Sequence, residues 1–432
     1  MPELKKVLHM RTLVAASLGI ALASSDYPAL IKAASQVGGW AIVFAVICAG
    51  LVTGLVALSF AELAGMYPTA AGVRVYTKKA FGDTASLTIT IFYVFFAVII
   101  ASAETYIFAA VLHALSPALS AKLWVVLFLA VAVVGNILGI EIAGALQDVF
   151  TSLMLAGIIG MSLYAIFFCH FSIVSVPFAP AGIDGFGTAI AAAIFLYAGF
   201  EWTTPLAEEV ASGKSVLSYS LIVSVAVLTI TFALFAYAAM GTVPLSQVAN
   251  TPIPHLIFGQ SVAGRIGLYI MAGISSLATL SSFNGGVMGN SRLIYALARE
   301  GSFPKFMSKL HPKYFTPWIA LLIIFSIIAI FSVSVAMTEA FLVPILVAAS
   351  IESFMFAIIS FSVISLRYKE KDTVRIFRIK GGIIIPLFTG IVFLLLTLGI
   401  LASSSKYVAI LFIAGFALSY ICSKYVVPRL GH

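Results

Sequence analysis

Charge is scarce in this chain. Only 9% of its 432 residues are Asp, Glu, Lys or Arg, against 62% hydrophobic, where soluble domains carry roughly 25% charged residues. That composition excludes a large water-soluble domain. Cysteine is scarcer still. Cys48, Cys169 and Cys422 lie apart, in or beside apolar runs, a spacing that fits small buried hydrophobes and neither a disulfide framework nor a metal site. No stretch reads as a P-loop, a zinc cluster or a nucleophilic triad, so neither enzyme chemistry nor a cofactor is expected. Long dyad alternation is missing too, which excludes a transmembrane β-barrel.

What the chain does have is apolar runs of about 20 residues from end to end and a mean hydropathy of +1.14. They predict an all-α polytopic membrane protein with twelve transmembrane helices, at 12–34, 39–65, 86–114, 122–143, 147–169, 187–211, 217–240, 264–299, 316–334, 337–366, 382–402 and 405–426. The basic, apolar N-terminus is read as the first of these spans rather than a signal peptide, because the apolar run resumes past Pro28. Of the 24 Lys and Arg residues, all but Lys32, Lys122, Arg265 and Lys406 then fall on one side of the bilayer. The positive-inside rule makes that side the cytoplasm, with both termini in it; the plasma membrane is the expected location. The net charge of +8 therefore serves topology and lipid head groups, and no nucleic-acid partner is expected.

Two spans are interrupted. The first reads Ala23-Ser24-Ser25-Asp26-Tyr27-Pro28 at mid-depth, and the sixth reads Phe195-Leu-Tyr-Ala-Gly-Phe-Glu-Trp-Thr-Thr-Pro205. Unwound backbone survives in a membrane only where protein or a polar ligand meets its N–H and C=O groups. Breaks five helices apart predict an inverted repeat with its site at the interface. Residues 1–170 and 187–366 are the expected repeats, and 380–432 adds the last two helices. Half-helix N-termini offer N–H groups to an anion, and half-helix C-termini offer carbonyls to a cation. A zwitterionic amino acid matches both.

Acids inside the spans are functional candidates by default. Asp26, beside the first break, suits a substrate amine, a cation or a proton, or else it caps the outer half-helix. Glu201 beside the second break, Glu104 in the third helix and Glu352 in the tenth are read either as coupling or contact groups or as buried partners for polar neighbours. Lys32 either snorkels outward or pairs with one of these acids. Glu62, Glu208 and Glu209, near the basic ends, are read as salt-bridge partners of the basic loops or as solvated surface. Tyr27 and Trp202 flank the breaks.

Four stretches carry a family resemblance. Phe195–Val210 (FLYAGFEWTTPLAEEV), Ala57–Gly82, Gly135–Thr151 and Ala278–Pro304 resemble, in order, motifs of the amino acid–polyamine–organocation (APC) permeases, and together they reach across the first ten spans. The resemblance implies a five-plus-five inverted-repeat fold, with broken helices 1 and 6, working by alternating access. Ala23, Ser24 and Ser25 match the family's unwound segment of helix 1, and Tyr197, Ala198 and Gly199 that of helix 6. Phe195 matches an aromatic that caps substrate. Thr279, Ser281 and Ser282 match hydroxyls facing an ion site or its replacement. Three departures stand out. Ala23-Ser24-Ser25 replaces the usual Gly-x-Gly, Asp26 replaces an apolar residue, and Met154 holds the place of a helix-5 lysine.

The expected function is secondary active transport of an amino acid, by symport or antiport. Its carboxylate would meet N–H groups at Ser24 and Ser25, and its amine the carbonyls of Tyr197 and Ala198, under Phe195. A proton on Asp26, Glu104 or Glu201 would couple transport. The alternatives are an amine or polyamine held by Asp26, sodium coupling through Thr279 and Ser282, and a non-transporting sensor.

Overall fold

Apolar runs set the helices here, because a backbone in hydrocarbon must pair all its own polar groups. The computed structural model describes residues 4, 6–35, 39–116, 118–137, 140–169, 182–211, 213, 215–243, 248, 251, 253–338 and 342–426. Fourteen α-helices follow in order. They are α1 (Met10–Ala21), α2 (Asp26–Ala33), α3 (Ala41–Met66), α4 (Gly72–Phe81), α5 (Asp83–Leu115), α6 (Ala121–Ile137) and α7 (Ile140–Phe168). The second series is α8 (Gly182–Phe195), α9 (Val216–Thr242), α10 (Pro254–Arg299), α11 (Trp318–Thr338), α12 (Leu342–Lys369), α13 (Ile384–Ser403) and α14 (Lys406–Ile421). A 3₁₀ helix, Phe200–Glu209, follows α8.

The described residues contain 10 helices long and apolar enough to cross a membrane, or 11 if the bent pair α1–α2 is one span. The predicted fourth span falls on α6, which at 17 residues is shorter than these. The join of the fourth and fifth spans differs from expectation. Residues 140–143, predicted to close the fourth span, open α7 instead. Ile137, Leu138 and Ile140 keep the mean hydropathy high across the join, so a hydropathy window does not place its edge despite Asn136 and Glu141. Elsewhere helix ends agree to within a few residues, and α10 bends at the expected start of the eighth span. There Ala263 (φ −142, ψ 30) and Gly264 (φ 58, ψ −142) leave helical geometry.

Large side chains such as Phe168, Ile330, Ile384 and Ile413 point outward, as a lipid-facing surface requires. Inside, α1 packs against α7, α9, α10 and the 3₁₀ helix, while α5 packs against α10, α11 and α12. The first break therefore lies at the middle of the bundle. Short α4 is amphipathic, with Val73, Tyr76 and Ala80 buried and Lys78 and Lys79 exposed.

Candidate functional site

Helix 1 stops at Ala21, where Leu22 (φ −83, ψ 64) turns the chain aside. It restarts at Asp26, with the two axes bent by 53°. The freed N–H groups find acids. The N–H of Ala23 donates to Asp26 Oδ2 at 2.9 Å. The N–H of Ser24 donates to Glu104 Oε2 at 3.1 Å, and the Ser24 hydroxyl donates to the same oxygen at 2.9 Å. Glu104 comes from α5. Bonds of this kind to a carboxylate are about twice as strong as neutral ones, and an unpaired buried N–H would be costly. Asp26 thus folds back on its own break as a cap, and Glu104 closes it from a neighbouring helix.

The second break is made differently. Gly199 sits at φ 100, ψ −10, a left-handed conformation that favours glycine. A Cβ there would also lie 2.7 Å from Ile20 Cγ2. The freed N–H of Gly199 donates to Glu352 Oε1 at 2.9 Å, from α12. Glu201 neighbours Glu352 and accepts the Tyr93 hydroxyl at 2.6 Å. Past the break the chain runs as a 3₁₀ helix of 10 residues with Pro205 inside it, longer than such helices usually run. Trp202 stacks on Tyr93 with ring centroids 4.1 Å apart, and the Ser17 hydroxyl donates to the Phe200 carbonyl at 2.7 Å, tying the two broken spans together.

Both breaks open on one cavity. Of the residues singled out in the sequence, Ala23, Ser25, Asp26, Glu104, Phe195, Ala198, Gly199, Trp202 and Ser282 line it. Ser24, Tyr197, Glu201 and Thr279 are buried but stand behind it. The Tyr197 hydroxyl turns away to donate to the Val46 carbonyl at 2.8 Å, and Thr279 donates to Ser275 O of its own helix at 3.3 Å. The remaining walls are apolar, with Phe96, Ile100, Phe283 and Ile328 among them.

A second polar cluster was not anticipated as a unit. The side-chain N–H₂ of Gln147, on α7, donates to Ser281 Oγ at 2.7 Å and lies 3.5 Å from the Ala15 carbonyl of α1. Thr151 donates to that carbonyl at 2.9 Å. Asn284 Nδ2 donates to Gln147 Oε1 at 2.9 Å, and Asn136 Nδ2 donates to Asn284 Oδ1 at 3.1 Å. Neutral amides and hydroxyls thus bind helix 1 to helices 5 and 8. Met154, at the position where the resembling family carries lysine, is buried. Glutamine and asparagine inside apolar spans were the available signal.

Towards the end bearing the basic loops, acids meet arginines. Arg292 bonds Glu209 at 3.0 Å, with both side chains 1% exposed. Arg367 bonds Glu62 at 2.6 Å, and Arg375 approaches it at 3.3 Å. Arg299 bonds Glu208 at 2.6 Å. Arg74 joins Asp83 and Glu300 at 2.7 Å and 2.8 Å. Residues 7 and 8 of the N-terminus donate two N–H groups to the Glu209 carbonyl, at 3.0 Å and 2.9 Å. Of the two readings of Glu62, Glu208 and Glu209, salt-bridge partners or solvated surface, the structure contains the first.

Comparison with known proteins bears on what this arrangement is for. The amino acid permease family model matches residues 8–420. A branched-chain amino acid permease of Bacillus subtilis is 30% identical over 52% of this chain and 48% of its own length. The human Asc-type amino acid transporter 1 is 24% identical over 65% of this chain and 56% of its own length. An aromatic amino acid transport protein of Corynebacterium glutamicum is 26% identical over 65% of this chain and 64% of its own length. The match to the first of these covers about half of that relative's length. The chain belongs to the amino acid permease family.

Proposed function

From that membership we propose that the protein is a secondary active transporter of amino acids, working by alternating access between halves built from residues 1–170 and 187–366. One observation carries the reading. Two interrupted helices, in the first and sixth predicted spans, present their broken ends to a single buried cavity. Loose backbone ends at membrane depth are the means by which a carrier meets a polar solute. The names of the relatives point to amino acids as the solute class. The apolar walls at Phe96, Ile100, Phe195 and Phe283 suit the larger apolar side chains.

For coupling we favour a proton carried on Asp26, Glu104 or Glu201. Among the described residues, none of the three forms an ion pair with Lys or Arg. Sodium has less support, because Thr279, one of its expected ligands, stands behind the cavity and donates to Ser275 O of its own helix. The distribution of basic residues supports both termini in the cytoplasm, and we place the chain in the plasma membrane.

The test is counterflow. Proteoliposomes holding the full chain, loaded with unlabelled leucine and phenylalanine, are expected to accumulate labelled leucine saturably, equally well without sodium. No accumulation with any of the twenty standard amino acids removes the amino-acid carrier reading and leaves an amine carrier or a sensor. Loss of accumulation on removing sodium transfers the coupling role to that ion.

A further inference from the structure

At the first break the N–H groups of Ala23 and Ser24 are already occupied by the chain's own acids. Asp26 holds that of Ala23 at 2.9 Å. One oxygen of Glu104 holds both the N–H of Ser24, at 3.1 Å, and its hydroxyl, at 2.9 Å. A solute carboxylate seeking the Ser24 N–H would have to displace Glu104, and it would then stand beside two carboxyl groups. No Lys or Arg lines this cavity.

The polar atoms left over have the opposite preference. Glu104 Oε1 and Asn290 Oδ1 are buried without a hydrogen-bond partner, and both residues line the cavity. Asn290 Nδ2 donates to the Gly286 carbonyl at 2.9 Å, which leaves the amide oxygen as the free end. Ser25 Oγ, also on the cavity wall, is unpartnered as well. Two of these three atoms accept only, and the third accepts or donates. An ammonium group offers three donors and no acceptor. Unmet buried acceptors complement it, and they do not complement a carboxylate.

We propose that Glu104 is a built-in anion that sets solute specificity. By holding the Ser24 N–H and hydroxyl on one oxygen and standing as an acid on the cavity wall, it makes the cavity select an ammonium group that has no free carboxylate beside it. The favoured solute is a primary amine or a carboxyl-blocked amino acid with an apolar body. The proposal rests on the reading above, that this cavity is the solute site.

The experiment compares three solutes sharing one side chain. Leucine has the carboxylate, 3-methylbutylamine lacks it, and leucinamide masks it. Binding is measured calorimetrically on the purified full chain, which avoids leakage of amines through lipid. Both amines are expected to bind at least tenfold more tightly than leucine. Glu104→Gln keeps an acceptor for Ser24 but removes the charge, and should weaken both amines at least tenfold without improving leucine. Glu104→Ala frees the Ser24 N–H and should narrow the gap by improving leucine. Leucine binding as tightly as the amines overturns the proposal and leaves the carrier reading standing, as does Glu104→Gln binding amines like the parent protein. If none of the three binds, the proposal falls, and the counterflow screen alone decides the carrier reading.

Discussion

Two sets of buried acids run through this bundle, and opposite means hold them. Near the basic loops, Glu62 and Glu209 are each paired with arginine at 3.0 Å or less. At the helix breaks, Asp26, Glu104 and Glu352 are met by backbone N–H groups, and Glu201 by a tyrosine hydroxyl. Burial does not separate the sets, since Glu62 and Glu209 are 1% exposed and Glu104 is 2% exposed. The partner does. An arginine neutralises its acid and locks two elements together. A backbone N–H satisfies one oxygen and leaves the charge, and often a second oxygen, without a counterpart. The same residue type is therefore a fastening at one level and part of a site at the other.

That contrast breaks most easily at Arg292. Arg292→Met leaves Glu209 buried and uncompensated, which should cost about 3–5 kcal/mol, read as a fall in the unfolding midpoint of the purified protein. A loss below about 1 kcal/mol would mean that the pair is no fastening. Gln147→Leu tests the neutral cluster between the two sets. It removes one hydrogen bond from Asn284 and one from Ser281, which keep Ala143 O, Asn136 and Thr151 as partners, and should cost about 0.5–1.5 kcal/mol, measured in the same way. Asp26→Asn sharpens the other side of the comparison. Its amide oxygen can still accept from Ala23, so the fold should survive, while uptake falls at least tenfold or loses its dependence on pH. Uptake unchanged at every pH takes Asp26 out of both binding and coupling. The smallest effect belongs to Glu208→Gln. With its pair to Arg299 partly exposed, at 21% and 39%, the expected cost is about 0.2–1 kcal/mol, shrinking as salt is raised.

Much of the site's position was legible in the chain. Small polar residues and a carboxylate at Ala23–Asp26, and Gly-Phe-Glu followed by Pro205, mark both breaks, because neither pattern suits an uninterrupted helix in lipid. The partners of the breaks were not legible. Glu104 lies 80 residues from Ser24, and Glu352 lies 153 residues from Gly199. Nothing local ties either acid to its N–H group. The Ser24 N–H, assigned in the sequence to a substrate carboxylate, is held by Glu104. Tyr197 lies beside the second break, yet its hydroxyl reaches Val46 on α3, since one helical turn decides which face a side chain takes. The edge of the α6–α7 join was misplaced, although Gly135, Asn136, Gly139 and Glu141 interrupt the apolar run there.

Composition alone committed this polypeptide to the membrane and to helices, since hydrocarbon admits few other forms and 9% charge leaves nothing for water. Residue identity also set where two of those helices come apart. Packing alone decided what meets the loose ends, because a hydrogen bond needs donor and acceptor within about 3 Å, and only the folded bundle brings distant helices that close.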